Sequence, residues 1–152
     1  MDRDLLKQAA IFSELDAEEL LRVAEICKEQ RFPSGQTIFK EGEPGNRLYI
    51  VAEGDVRISR QVPGSGEEAL SILKPGACFG EMSVFDRFER STDAIANTDC
   101  VLVTIARPDF EILLDFDHEL ATKVLRSVVR LLCQRLRATN ESLRSFLSMG
   151  MF

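Results

Sequence analysis

The sequence predicts a mixed α and β fold: an antiparallel sandwich, jelly roll or β-roll flanked by N-terminal helices and a long C-terminal helix. Three observations predict it. Apolar residues recur at helical spacing near both ends, over residues 3 to 30 and from Pro108 onward. Between Phe32 and Ile105 the chain breaks into short alternating segments. Glycine and proline punctuate that middle zone every eight to twelve residues, the rhythm of an all-β layer.

In chain order, "LDAEELLRVAEICKEQ" sets Leu20, Leu21, Val23, Ala24 and Cys27 on one broad helical face. Ser13 or Asp16 suits the N-cap, and Glu18 and Glu19 suit the first turn. "RLYIVAE" and "DVRISR" are strand-like and divided by Gly54, "ALSIL" follows the turn-rich "VPGSGEE", and "CVLVTIA" closes the zone. Pro108 starts a short helix, "PDFEILL", and a longer one runs from about His118 to Phe146. The longer helix spans roughly 40 Å, more than a small β layer needs for packing. Its apolar positions, Leu125, Val128, Leu132, Leu136, Leu143 and Phe146, form a heptad-like seam with an eleven-residue step from Leu132 to Leu143. A stripe on a helix that outruns its domain predicts a homodimeric helix pair.

Composition narrows the function. A chain of 152 residues with 45% hydrophobic and 29% charged residues is one globular domain. No apolar run approaches the roughly 20 residues of a membrane helix. The N-terminal "MDRDLLKQAA" lacks the basic-then-apolar pattern of a signal peptide. Cys27, Cys78, Cys100 and Cys133 are scattered, which predicts reduced, mostly buried thiols and a cytoplasmic location. His118 is the sole histidine, so the ligands for a metal site are missing and no cofactor is expected. A net charge of −6 disfavours DNA. No nucleophile–base pair is evident, so the chain is not expected to be an enzyme.

One stretch carries chemistry: "FGEMSVFDRFERST", residues 79 to 92. It is either a surface turn whose charges face water or a cradle for a small anion. Gly80 permits close backbone approach, and a helical turn at "EMSVF" would offer unsatisfied N–H groups. Arg90 brings a planar fork matched to two phosphate oxygens. Glu81 would repel phosphate but can accept from a sugar hydroxyl beside it. Together they describe a phosphate plus a ribose. The competing readings are an Arg90 surface ion pair with Glu89 or Asp86 and a solvated Glu81.

The segment resembles the phosphate-binding cassette of cyclic-nucleotide-binding domains, F-G-E, a helical turn, then R-[ST/A]. "IFKEGEPGNRLYIVAEGDVRI" and "LKPGACFGE" are similar to flanking stretches of that family, and the likeness runs from "IFSELDAEEL" through the final helix. The resemblance implies an antiparallel, jelly-roll-like β-roll forming a single domain over 1–152. Within it, 1–31 would be N-terminal helices, 32–106 the roll with the cassette at 79–92, and 107–152 helices serving as lid and dimer contact. It implies cAMP or cGMP as ligand, with cAMP favoured. Phe79, Gly80, Met82 and Ser83 would shape and line the phosphate turn. Glu81 would hold the ribose 2′-hydroxyl, and Arg90 would pair with the cyclic phosphate beside Ser91 and Thr92. "LRATNESL" is similar to the base-contacting stretch of catabolite-activator-like regulators, which assigns Thr139 and Asn140 to the base.

The sequence departs from the family pattern at Asp93, expected to point to solvent opposite Arg90 in a strand starting there, and at Thr92. The connection carries Phe85 and Phe88, read as cassette packing rather than a partner surface. Related regulators carry a helix-turn-helix after the long helix, and the sequence ends at Phe152 without room for one. The expected function is therefore a regulatory sensor signalling through its C-terminal helix to a dimer or to a downstream protein that the sequence does not name. Two alternatives are a roll that no longer binds nucleotide and serves as an interaction module, and a fragment of a larger transcription regulator.

Overall fold

The computed structural model describes residues 3–150. Helix α1 (Arg3–Gln8), a 3-10 turn (Ala10–Phe12) and α2 (Ala17–Glu25) precede eight strands. These are β1 (Cys27–Phe32), β2 (Thr37–Phe39), β3 (Arg47–Glu53), β4 (Val56–Val62), β5 (Gly66–Leu73), β6 (Cys78–Phe79), β7 (Asp93–Ala96) and β8 (Cys100–Ala106). Helix α3 (Glu81–Asp86) interrupts them, and α4 (Arg107–Phe116) and α5 (His118–Gly150) follow. The strands form two antiparallel four-stranded sheets, ordered β1-β8-β3-β6 and β2-β7-β4-β5. This is the mixed, helix-flanked antiparallel roll expected from the sequence.

Asp16 caps α2: its carboxylate accepts from the Glu19 N–H at 2.9 Å, and Glu19 accepts from the Asp16 N–H at 3.0 Å. These reciprocal bonds satisfy two N–H groups that a helix start leaves open. The α2 helix ends sooner than its pattern suggests, and residues 27–32 are a strand in continuous register with β8, from Cys27↔Ile105 to Phe32↔Cys100. Lys28–Arg31 are all polar and carry no period; the apolar strand β8, left with an open edge, decides their conformation. Leu21 correspondingly faces out, while Leu20 and Val23 are buried.

Two apolar clusters result. One joins the N-terminal helices to α4 and the first half of α5 through Phe12, Val23, Phe110, Leu120 and Val124. The other fills the roll, with Phe39, Tyr49, Val56, Phe79 and Leu102. Ion pairs Lys123–Glu19 (2.6 Å), Arg130–Glu14 (2.5 Å) and Arg22–Asp117 (2.7 Å) tie the C-terminal helices to the N-terminal segment.

Beyond Leu131, α5 leaves the domain: every described residue from Leu132 to Gly150 is exposed, a projection of roughly 28 Å. Val128 is buried against its own domain, whereas Val129 is 58% exposed. With Val129 in the stripe, Leu125, Val129, Leu132, Leu136, Thr139, Leu143 and Phe146 follow strict four-three spacing. The expected eleven-residue irregularity is thus absent, because Leu136 and Thr139 occupy the intervening seam positions. Cys133 is also exposed, unlike the buried Cys100 and the half-buried Cys27 and Cys78.

Candidate functional site

The second cluster opens into a cavity of about 380 Å³ walled by both sheets, α3 and α5. Strand β6 delivers Phe79 to its floor, stacked on Tyr49 at 5.0 Å between ring centroids. Gly80 then turns the chain at φ 77°, and a β-carbon there would lie 2.7 Å from Arg90 Nη1. Gly45 is equally constrained by contact, since a β-carbon would meet Ser83 Cβ at 2.1 Å. These two glycines let the 42–46 loop, α3 and Arg90 close on one another.

Arg90 is 4% exposed, which excludes the surface ion pair with Glu89 or Asp86. Its Nη1 donates to Gly80 O at 2.8 Å and its Nη2 to Arg47 O at 2.7 Å. The guanidinium lies 4.2 Å from the Phe39 ring centroid, within cation–π range. Its Nε is buried with no hydrogen-bond partner among the described residues. The backbone is fixed as well: Arg90 N–H donates to Glu43 O at 2.8 Å, and Gly42 N–H donates to Arg90 O at 2.9 Å. Burial draws the Arg90 pKa below its ordinary value, opposed by Tyr49, Glu81 and Glu43 nearby. A guanidinium nonetheless stays charged. The result is a fixed cation on the cavity wall that pairs only two of its five N–H donors with backbone carbonyls.

Glu81 is 3% exposed, not solvated, and forms an ion pair with Arg135 of α5. Ser83 is buried and donates to Glu89 O at 3.4 Å, while Met82 is 48% exposed at the rim. Phe79, Gly80, Glu81, Met82, Ser83, Arg90, Ser91 and Thr92 all line the cavity. Thr139 and Asn140 do not: both are exposed, one turn past Arg135, and Thr139 Oγ1 donates back to Arg135 O at 2.9 Å. The wall also uses Phe39, Ile58, Leu73 and Arg135, which sequence reasoning missed. Only Arg135 left a signal, lying four residues before Thr139 on the same helix face.

Two expectations around the cassette are corrected. The strand begins at Asp93 rather than Arg90, and Asp93 is buried, not solvent-facing. Its Oδ1 accepts from the Glu41 N–H at 2.8 Å, so its charge is engaged by the β2 edge. Phe85 does pack, edge-on to Phe110 at 5.9 Å, but Phe88 is 73% exposed. A left-handed Arg87 (φ 62°) swings Phe88 outward.

Residues 29–117 match the cyclic nucleotide-binding domain family. The chain belongs to that family. It is 34% identical over 140 residues to a CRP-like cAMP-activated global transcriptional regulator of Mycobacterium tuberculosis, covering 92% of this chain and 61% of the regulator. Among solved structures, it is similar to the N-terminal domain of a transcriptional regulator from Streptomyces coelicolor A3(2), with TM-score 0.80 and 35% identity over 92% of this chain and 95% of that one. It is also similar to the regulatory domain of Toxoplasma gondii PKA bound to cAMP, with TM-score 0.68 and 26% identity over 73% and 42%. The chain spans 61% and 59% of the length of two curated bacterial relatives. Among the described residues, no group of side chains could hold a metal ion, and no helix is long and apolar enough to cross a membrane.

Proposed function

We propose that the chain binds a cyclic mononucleotide non-enzymatically, cAMP in preference to cGMP, and transmits occupancy through α5. The observation that carries this is Arg90: buried, clamped by two carbonyls, and left with a buried Nε donor that no group among the described residues satisfies. A cyclic phosphate's exocyclic oxygens supply the acceptors such a fork lacks. Ser83, Ser91 and Thr92 lie beside it with further polar groups. The carboxylate of Glu81 takes the ribose 2′-hydroxyl as donor. The family relatives named for cAMP support the ligand class.

Glu81 is also where Arg135 is held, so ligand and helix meet at one carboxylate. A ribose hydroxyl that shares or displaces Arg135 changes the free energy of the α5 position, and the linkage is reciprocal. In a parallel α5 pair along the heptad seam, Arg135 takes the position before the seam and faces Asn140 of the second copy, as g and e positions do. Asn140 would then reach the base edge from the partner, and Thr139 would sit in the seam itself. This explains how both could serve the site while lying outside the cavity of their own chain.

Calorimetry with cAMP, cGMP and a cyclic dinucleotide, on wild type and Arg90→Ala, tests the proposal. Heat with a mononucleotide that vanishes in the variant is expected. An absence of heat at near-millimolar cAMP and cGMP in the wild type would overturn it.

A further inference from the structure

Helix α4 has two apolar faces, and the fold uses one. Phe110 is fully buried, edge-on to Phe12 at 6.2 Å and to Phe85 at 5.9 Å. On the other face Ile112 and Phe116, one turn apart, are 57% and 87% exposed. A surface helix ordinarily shows polar residues there, so a paired apolar face directed at solvent is unusual. Ile112, Leu113 and Phe116 form, with Ile26 at the end of α2, a groove of about 240 Å³.

The charge around the groove selects its occupant. Glu25 and Asp109 stand on its wall and Asp115 adjoins Phe116. None of the three enters an ion pair among the described residues, whereas Arg22, the one cation of the wall, is committed to Asp117 at 2.7 Å. A second copy is a poor occupant, because two-fold pairing would set these carboxylates against their own counterparts. Self-association has the longer, less acidic seam of α5 available.

We infer that the α2–α4 groove docks a basic amphipathic helix of another protein, with apolar residues one turn apart in the groove and Lys or Arg on the acidic rim. The site lies on different residues from the nucleotide cavity and does not depend on it.

The test uses a labelled Leu/Lys amphipathic peptide of roughly four turns, with a Leu/Glu peptide of the same pattern as control. Fluorescence anisotropy should show saturable binding of the Leu/Lys peptide alone, with amide shifts confined to residues 22–26 and 109–116. Ile112→Ala/Phe116→Ala keeps every charge and removes only exposed side chains, so its melting temperature should not fall. It should weaken binding by about tenfold or more. Failure of the wild type to bind, undiminished binding by the double variant, or amide shifts centred on α5 would each overturn the proposal. A change in the chain's own oligomeric state in the double variant would overturn it too, by assigning the face to a second copy.

Discussion

Two guanidiniums reach the same cavity and are held in opposite ways. Arg90 is 4% exposed and fixed by Gly80 O, Arg47 O and the Phe39 ring, all within the roll. The Arg135 side chain is 44% exposed and stands on a helix that leaves the domain a few residues earlier; its anchor in the cavity is Glu81. The first is pre-organised, since its rotamer is set before any ligand arrives. The second can exchange its partner at modest cost, because it is half in water. Under the proposed function, the contrast would put binding capacity in the roll and responsiveness in the helix.

The strongest way to break this comparison is Arg90→Ala. It should cost about 2–5 kcal/mol of nucleotide binding, roughly thirty- to several-thousand-fold. An unchanged affinity by calorimetry would remove the phosphate site from Arg90. Glu81→Gln should come next, at about 1.5–3 kcal/mol for a hydrogen bond to a charged group. Its loss should disappear with a 2′-deoxy ligand, and a similar loss for both ligands would separate Glu81 from the ribose.

The helix side is tested by Leu132→Glu with Leu143→Glu, which should halve the mass seen by light scattering while leaving Arg90 able to bind ligand. A persistent dimer would move the interface off α5. Arg135→Ala should change affinity by less than about tenfold, since the pair is partly solvated. A loss as large as that of Arg90→Ala would erase the distinction between the two cations.

The smallest effect concerns thiols. Burial pushes the Cys27 pKa up to about 12, so at pH 8 it is almost wholly neutral. Cys133 is exposed and should react first with a thiol reagent. By linkage, the raised Cys27 pKa contributes stability below its ordinary value near 9.0, and that contribution is lost as pH rises toward about 12. A Cys27 that labelled as fast as Cys133 would mean that α2 and β1 open readily.

Much of this was legible in the sequence where local pattern and local structure agree. "RLYIVAE" and "CVLVTIA" are strands with the bounds their flanking turns suggest, because each is apolar enough to be buried wherever it pairs. Residues 79–83 line one cavity because Gly80 and a short helical turn bring sequence neighbours together. Legibility failed where a distant partner decided the outcome. Lys28–Arg31 became a strand because β8 offered an edge. Asp93 became buried because the Glu41 N–H, 52 residues away, needed an acceptor. Val129 rather than Val128 faces outward because α5 turns Leu120, Val124 and Val128 into the cluster that holds Phe12 and Phe110, and one residue's shift rotates a helix face by about 100°.

The sequence by itself determined the layered fold, the family likeness and a cassette whose charges have separate chemistry. Those features depend on short-range spacing, which hydrophobic period and glycine placement encode directly. Only the tertiary structure decided that Arg90 is clamped by the carbonyl of Arg47, that Glu81 is paired with Arg135, and that Thr139 and Asn140 stand outside their own cavity. Each of these joins residues separated by 43 or more positions, or depends on where α5 leaves the domain. Side-chain identity sets what a group can bond; the packing of distant elements sets which partner it finds.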